Sequence, residues 1–294
     1  MTIAPDILLT FGLLAATILL LWAPLPAIRG VRGWAWGGAL ALACGTAFAN
    51  GMLDWRALGA IIGFVVLAWG ARDAGSAWVR GLLLVLTGLV ALLLAMHRIP
   101  GFHNPVVIEG IRFSADTIPF TLRANVDTAV AGIVLMGMLC RRIQTRAEWV
   151  AMLRRIGPVV LSTLVIVLGL GLLMGHVRPD LKWTAYSAWF LAYNLLVTCV
   201  TEEAFFRGVV LERLARAMAG WRGGVVIATA VSSALFGLAH LGGGMQLALL
   251  ATVAGLLYAA AYLRSERVEG AILTHFALNA VHFIGFSYPA LAPA

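Results

Sequence analysis

Charge is what this sequence has least of. Asp, Glu, Lys and Arg make up 12% of its 294 residues, against 62% hydrophobic residues and a mean hydropathy of +0.95. A soluble domain carries about 25% charged residues, so an ordinary water-facing surface is excluded and the chain is predicted to lie in a bilayer. Cysteine is sparse too: Cys44, Cys140 and Cys199 all fall in apolar segments without ligand-like spacing, which argues against a disulfide framework or a cysteine metal site. There is no soluble domain, low-complexity tract or close internal repeat. The first apolar run lacks a basic flank, with only Asp6 charged before it, and no small-residue cleavage site follows; it is expected to be a span rather than a signal peptide.

What the sequence has instead is apolar runs of about 20 residues, the length a spanning helix needs. They fall at 7–23, 34–53, 57–71, 79–96, 127–140, 156–175, 184–206, 224–241, 245–263 and 270–288. Two are short for a span, so the expected fold is an all-α polytopic bundle of eight to ten transmembrane helices. Residues 1–150 would hold N-terminal membrane helices and 151–294 a catalytic core. The net charge of +8 could suggest nucleic acid, but the basic residues sit in loops between spans rather than on one soluble face, and no nucleic-acid partner is expected. Fifteen of the 21 Lys and Arg fall in alternate loops, beginning with Arg29 and Arg32 and including the arginines from Arg141 to Arg155. By the positive-inside rule those loops are cytoplasmic and both termini face out. The longest polar connection, 97–126, then falls on the outer side. Within it 106–113 reads as two extended runs about a Glu109-Gly110 turn, predicting a short outer-face β-hairpin. His97 and His103 lie here as well, without an acidic or cysteine partner at ligand spacing.

Against this background the polar residues of the last third stand out. In 195–210, LLVTCVTEEAFFRGVV, two carboxylates and an arginine interrupt an apolar helix, where each charge costs about 2.5 to 3.5 kcal/mol even on a lenient insertion scale. Asn194, Thr198, Glu202 and Phe206 recur every four residues and are expected on one helical face, with Glu203 and Arg207 as an i,i+4 pair beside it. A salt bridge holding helices together accounts for Glu203 and Arg207 but leaves Glu202 without a role. Further on, Ser233, Phe236 and His240 lie near one face of the next helix. His275 and Asn279 are one turn apart on the last, with His282 a turn beyond. Singly, each histidine could be a packing hydrogen bond between helices. Together, an acid, two histidines and an amide on successive helices supply what water-activating hydrolysis requires.

The ordered set Glu202-Glu203-x-x-x-Arg207, Phe236-x-x-x-His240 and His275-x-x-x-Asn279 resembles the signature of the CPBP family of intramembrane proteases. That family includes the type II CAAX prenyl endopeptidases and bacterial relatives linked to bacteriocin immunity. The resemblance covers about 184–288. It implies that Glu202 and His240 activate a water, that His275 and Asn279 donate hydrogen bonds to the oxyanion, and that Glu203 with Arg207 holds the site in shape. Geometry points the same way: Glu202 and His240 are equally far from Trp221 in the 220–224 turn, so antiparallel helices joined there would bring them to one depth, about 15 Å from the cytoplasmic surface.

The expected activity is therefore endoproteolysis of a membrane-associated protein or peptide, in a multi-pass protein of the bacterial inner membrane with its site open to the cytoplasm. The alternatives from other classes are a proton-coupled transporter, since intramembrane Glu and His also make relays, and a non-catalytic immunity or scaffold protein. No cofactor is expected. Glu202, His240 and His275 are a possible zinc set, but His-Glu-x-x-His is missing and Asn279 is a poor zinc ligand, so a metal-free reaction is favoured.

Overall fold

The computed structural model describes residues 3–23 and 35–292. Arg29 and Arg32 of the basic loops lie outside the described residues. Among those described, ten helical rods follow one another: α1 Pro5–Leu20, α2 Ala35–Ala49, α3 Trp55–Asp73, α4 Ala77–Ala95, α5 Val126–Met138, α6 Arg146–Leu173, α7 over 187–217, α8 Gly224–Ala239, α9 Met245–Ser265 and α10 Val268–Gly285. Each coincides with an expected apolar run. Four of them (α3, α4, α6 and α9) are long and apolar enough to cross a membrane, and α1, α2, α5 and α8 are shorter apolar helices. Their outward residues are apolar as well, Leu161, Val165 and Val226 among them, as a lipid-facing surface requires. The protein is an integral membrane protein.

Helix starts follow local chemistry where charge is available. Asp54 caps α3 by accepting from the Arg56 and Ala57 amides at 2.8 and 3.3 Å. Thr145 and Glu148 form a reciprocal capping box on α6, which satisfies two end donors and starts that helix ten residues before its apolar run.

The hairpin is present but built differently from expectation. Strand β1, Val106–Ile111, runs straight through Glu109-Gly110 and pairs with β2, Phe120–Arg123, so the connection is 112–119. Gly110 takes φ +60°, which glycine adopts without strain, and its amide donates to Thr121 Oγ1 at 3.1 Å. The glycine thus bends a strand instead of ending one.

The chain forms two compact units from interleaved segments: 1–107, 123–144 and 196–205 make the first, and 108–122, 145–195 and 206–294 the second. In the first unit α5 is buried along its whole length except Thr128 and Gly137, so it reads apolar on all sides. The 196–205 segment packs on it closely. A Cβ at Gly132 would fall 2.2 Å from Thr201 Oγ1, and that hydroxyl donates to the Thr128 carbonyl at 2.9 Å.

In the second unit α8 packs tightly on α9. A Cβ on Gly237 would lie 1.8 Å from Thr252 Oγ1 and 2.7 Å from the Ala248 carbonyl oxygen. Small residues at Ala248, Gly255 and Ala259 keep the α9 side of that contact thin, as membrane helix pairs require. Arg267, in the α9–α10 turn, pairs with Glu148 at 2.8 Å and ties α6 to that turn.

Candidate active site

Helix α7 carries the carboxylates, and it is not the regular α-helix that a four-residue repeat assumes. It is π-helical over Asn194–Cys199 and again over Ala204–Leu211, with α-helical Val200–Glu203 between. Each π turn admits an extra residue, so the expected single face of Asn194, Thr198, Glu202 and Phe206 does not continue straight through. Such bulges concentrate at functional sites. In the first unit Glu203 is fully buried and Glu202 half-buried, on the α-helical link next to the Thr201 contact with α5. A carboxylate at full burial needs charge-assisted partners to remain in place.

In the second unit the next three sequence-selected residues gather around one ring. Phe236 is buried, and Arg207 lies over its face with 4.7 Å from guanidinium carbon to ring centroid. His240 sits 4.6 Å from the same ring and His275 meets it edge-on at 5.7 Å. Arg207 is fully buried, donates to the Gly255 carbonyl at 2.8 Å and also faces the rings of Tyr258 at 5.3 Å and Phe206 at 5.8 Å. The Ser232 hydroxyl donates to the Phe206 carbonyl at 2.8 Å, which fixes the backbone just before the arginine.

His240 is not inside a helix as expected. It is the residue that follows α8, with φ −98° and ψ 4°, before a tight turn at Leu241–Gly243. Gly244 then takes φ +97° and starts α9. The consequence is chemical: Nδ1 of His240 lies 2.8 Å from the Phe236 carbonyl oxygen. A carbonyl only accepts, so Nδ1 carries the hydrogen, and in the neutral ring Nε2 presents the lone pair.

Asn279 Nδ2 donates to Asn194 Oδ1 at 3.2 Å, which anchors the amide to the π-helical part of α7 within the same unit. His282, one turn further along α10, approaches the Ser287 carbonyl at 3.2 Å and serves the end of its own helix. Three participants were missed from the sequence: Asn194 as the partner of Asn279, Gly255 as the acceptor for Arg207, and Tyr258, whose ring stacks on His275 at 4.5 Å. Nothing in the sequence around Gly255 and Tyr258 marks the last two. Among the described residues no three His, Cys, Asp or Glu side chains are grouped as a metal site would need.

With the geometry in place, the chain can be set beside known proteins. Residues 183–281 match the family model described as type II CAAX prenyl endopeptidase Rce1-like. The matched segment is similar to that family over about a third of the chain. It takes in all of α7, α8 and α9 and most of α10, and so contains Glu202, Glu203, Arg207, His240, His275 and Asn279. The family matched is the one that the three motifs resemble. No curated protein and no solved structure matches the chain. Within the matched segment the aromatic setting of Arg207 and His275 comes from α8 and α9 together, so α9 contributes to the candidate site although it holds no motif residue.

Proposed function

We propose that the protein is a glutamate-dependent intramembrane endopeptidase acting on a membrane-associated protein or peptide without a metal. The observation that carries this reading is the His240 tautomer. Its Nδ1–H is committed to the Phe236 carbonyl, which leaves Nε2 as the nitrogen able to take and return a proton. In the proposed reaction the Glu202 carboxylate, with His240, removes a proton from water while the water oxygen bonds to the scissile carbonyl carbon. The carbonyl π electrons move to oxygen, and N–H groups of His275 and Asn279 meet the oxyanion. Reformation of the carbonyl expels the amine, which takes the proton from the Glu202–His240 pair. One water is consumed, one C–N bond breaks, and a carboxyl and an amine end are produced.

Arg207 and Glu203 keep the structure around the reacting groups and touch no substrate. The metal-free form is favoured because the oxyanion donors are a neutral amide and an imidazole, and an amide is a weak zinc ligand; the nitrogen a zinc would use is His240 Nε2. The charge asymmetry of the loops supports a site that faces the cytoplasm.

Purified parent, Glu202→Gln and His240→Gln proteins in vesicles test the reading, with a prenylated CAAX peptide and an unprenylated membrane peptide as probes. Loss of a general base should lower cleavage by about 100- to 10,000-fold in each variant while the fold persists. Cleavage retained by Glu202→Gln would overturn the mechanism. Glu202-dependent proton flux without cleavage would favour the transporter reading instead.

A further inference from the structure

Helix α9, Met245–Ser265, carries no motif residue, yet it is where the Arg207 and His275 side chains come to rest. Gly255 accepts the Arg207 hydrogen bond, and a Cβ there would lie 3.2 Å from both Arg207 Nη2 and Ser233 Cα, so glycine allows α9 to approach this closely. One turn on, Tyr258 is almost fully buried and its ring is held from three sides. Arg207 lies over it at 5.3 Å, the Phe236 ring meets it nearly perpendicular at 5.8 Å, and His275 stacks on it at 4.5 Å with only 17° between planes. His275 thus has the Tyr258 face against its own face and Phe236 at 85° beside it.

Stacking of this kind restricts rotation about the Cβ–Cγ bond, the torsion that sets the plane of the imidazole and with it the direction of its N–H groups. A hydrogen bond to a developing oxyanion depends steeply on donor angle and distance. Buried rings in mutual contact also cannot repack without opening the core. We propose that Tyr258 is a positioning residue that fixes the ring plane of His275, so that α9 sets the oxyanion donor without touching substrate. The assignment rests on the endopeptidase reading for its kinetic consequence and on the stack alone for its structural one.

The two are separable. The protein has six histidines, and protein with isotope-labelled histidine in nanodiscs, assigned through His275→Gln, reports the ring-current shift that a stacked Tyr258 imposes on the His275 ring protons. Tyr258→Leu should move the His275 lines to unstacked positions and Tyr258→Phe should leave them in place. Neither should disturb the His97 and His103 lines, which belong to the other unit. In the cleavage assay Tyr258→Leu should lower kcat by about 100-fold with KM little changed, the cost of a misplaced catalytic group, and Tyr258→Phe should restore most of it. His275 lines that ignore Tyr258→Leu would overturn the stack. Folded Tyr258→Leu protein with parental kcat would overturn the positioning role. A parent protein that cleaves nothing would overturn the endopeptidase reading and the kinetic half of this assignment, while the spectra still decide the stack.

Discussion

Arg207→Ala is the substitution whose cost is most directly set by the structure. The side chain is fully buried, donates a hydrogen bond to the Gly255 carbonyl at 2.8 Å, and lies over the Phe236 and Tyr258 rings at 4.7 and 5.3 Å. A charge-assisted hydrogen bond contributes about 1.5 to 3 kcal/mol, and a desolvated cation–π contact about 2 kcal/mol. The contributions share one guanidinium and do not simply add, so the expected loss is about 3 to 5 kcal/mol, the range for breaking a buried charged cluster. Arg207→Lys keeps the charge but not the planar fork that reaches a carbonyl while lying flat on two rings, and should recover about half. Reversible unfolding of purified protein in mixed micelles measures both. A loss below about 1 kcal/mol for Arg207→Ala, or a lysine variant as stable as the parent, would refute the reasoning, since a fully buried guanidinium in contact with these groups cannot be energetically silent.

Gly237→Ala should cost about 1 to 3 kcal/mol through overpacking of α8 on α9, because the new Cβ meets the Ala248 backbone and the Thr252 hydroxyl. Thr252→Ala should relieve only part of it, and thermal midpoints of the single and double variants check both points. His97 donates from Nδ1 to the buried Asp127 carboxylate at 2.7 Å, and this hydrogen bond raises the His97 pKa. A raised folded pKa stabilises fully below the unfolded value of about 6.5 and is lost as pH rises through the folded value, so the parent's thermal advantage over His97→Gln should be larger at about pH 5.5 than at about pH 8.5. An advantage that grows with pH would contradict this. Prolonged chelation should leave cleavage intact, with no stoichiometric zinc in active protein; activity lost to chelator and restored by zinc would require a metal reaction.

The ten helices were legible because lipid permits few alternatives: a backbone without water must close its own hydrogen bonds, and the apolar runs have the needed length. Glu202, His240, His275 and Asn279 stand out in the sequence as candidates for the converse reason, since polar groups in apolar helices are costly. What escaped was whatever depends on backbone shape. The π turns flanking Val200–Glu203 have no compositional mark, and they alter which residues share a face with Glu202. Glu109-Gly110 has the chemistry of a turn, but a positive φ at glycine also suits a bent strand, and pairing with 120–123 decided the outcome. The end of α8 at His240 did have a signal in the three glycines at 242–244, the residues that stop helices most readily. Gly255 and Tyr258 are common residues in membrane helices, and only the arginine and histidine lying against them make them part of the site.

The most direct test of a Glu202-dependent endopeptidase is quantitative mapping of protein ends in membranes from cells that express the parent or the Glu202→Gln protein at equal levels. New amino and carboxyl ends that arise from one internal cleavage, present with the parent and missing with Glu202→Gln, are the expected result. Identical ends in both membranes would contradict the central claim.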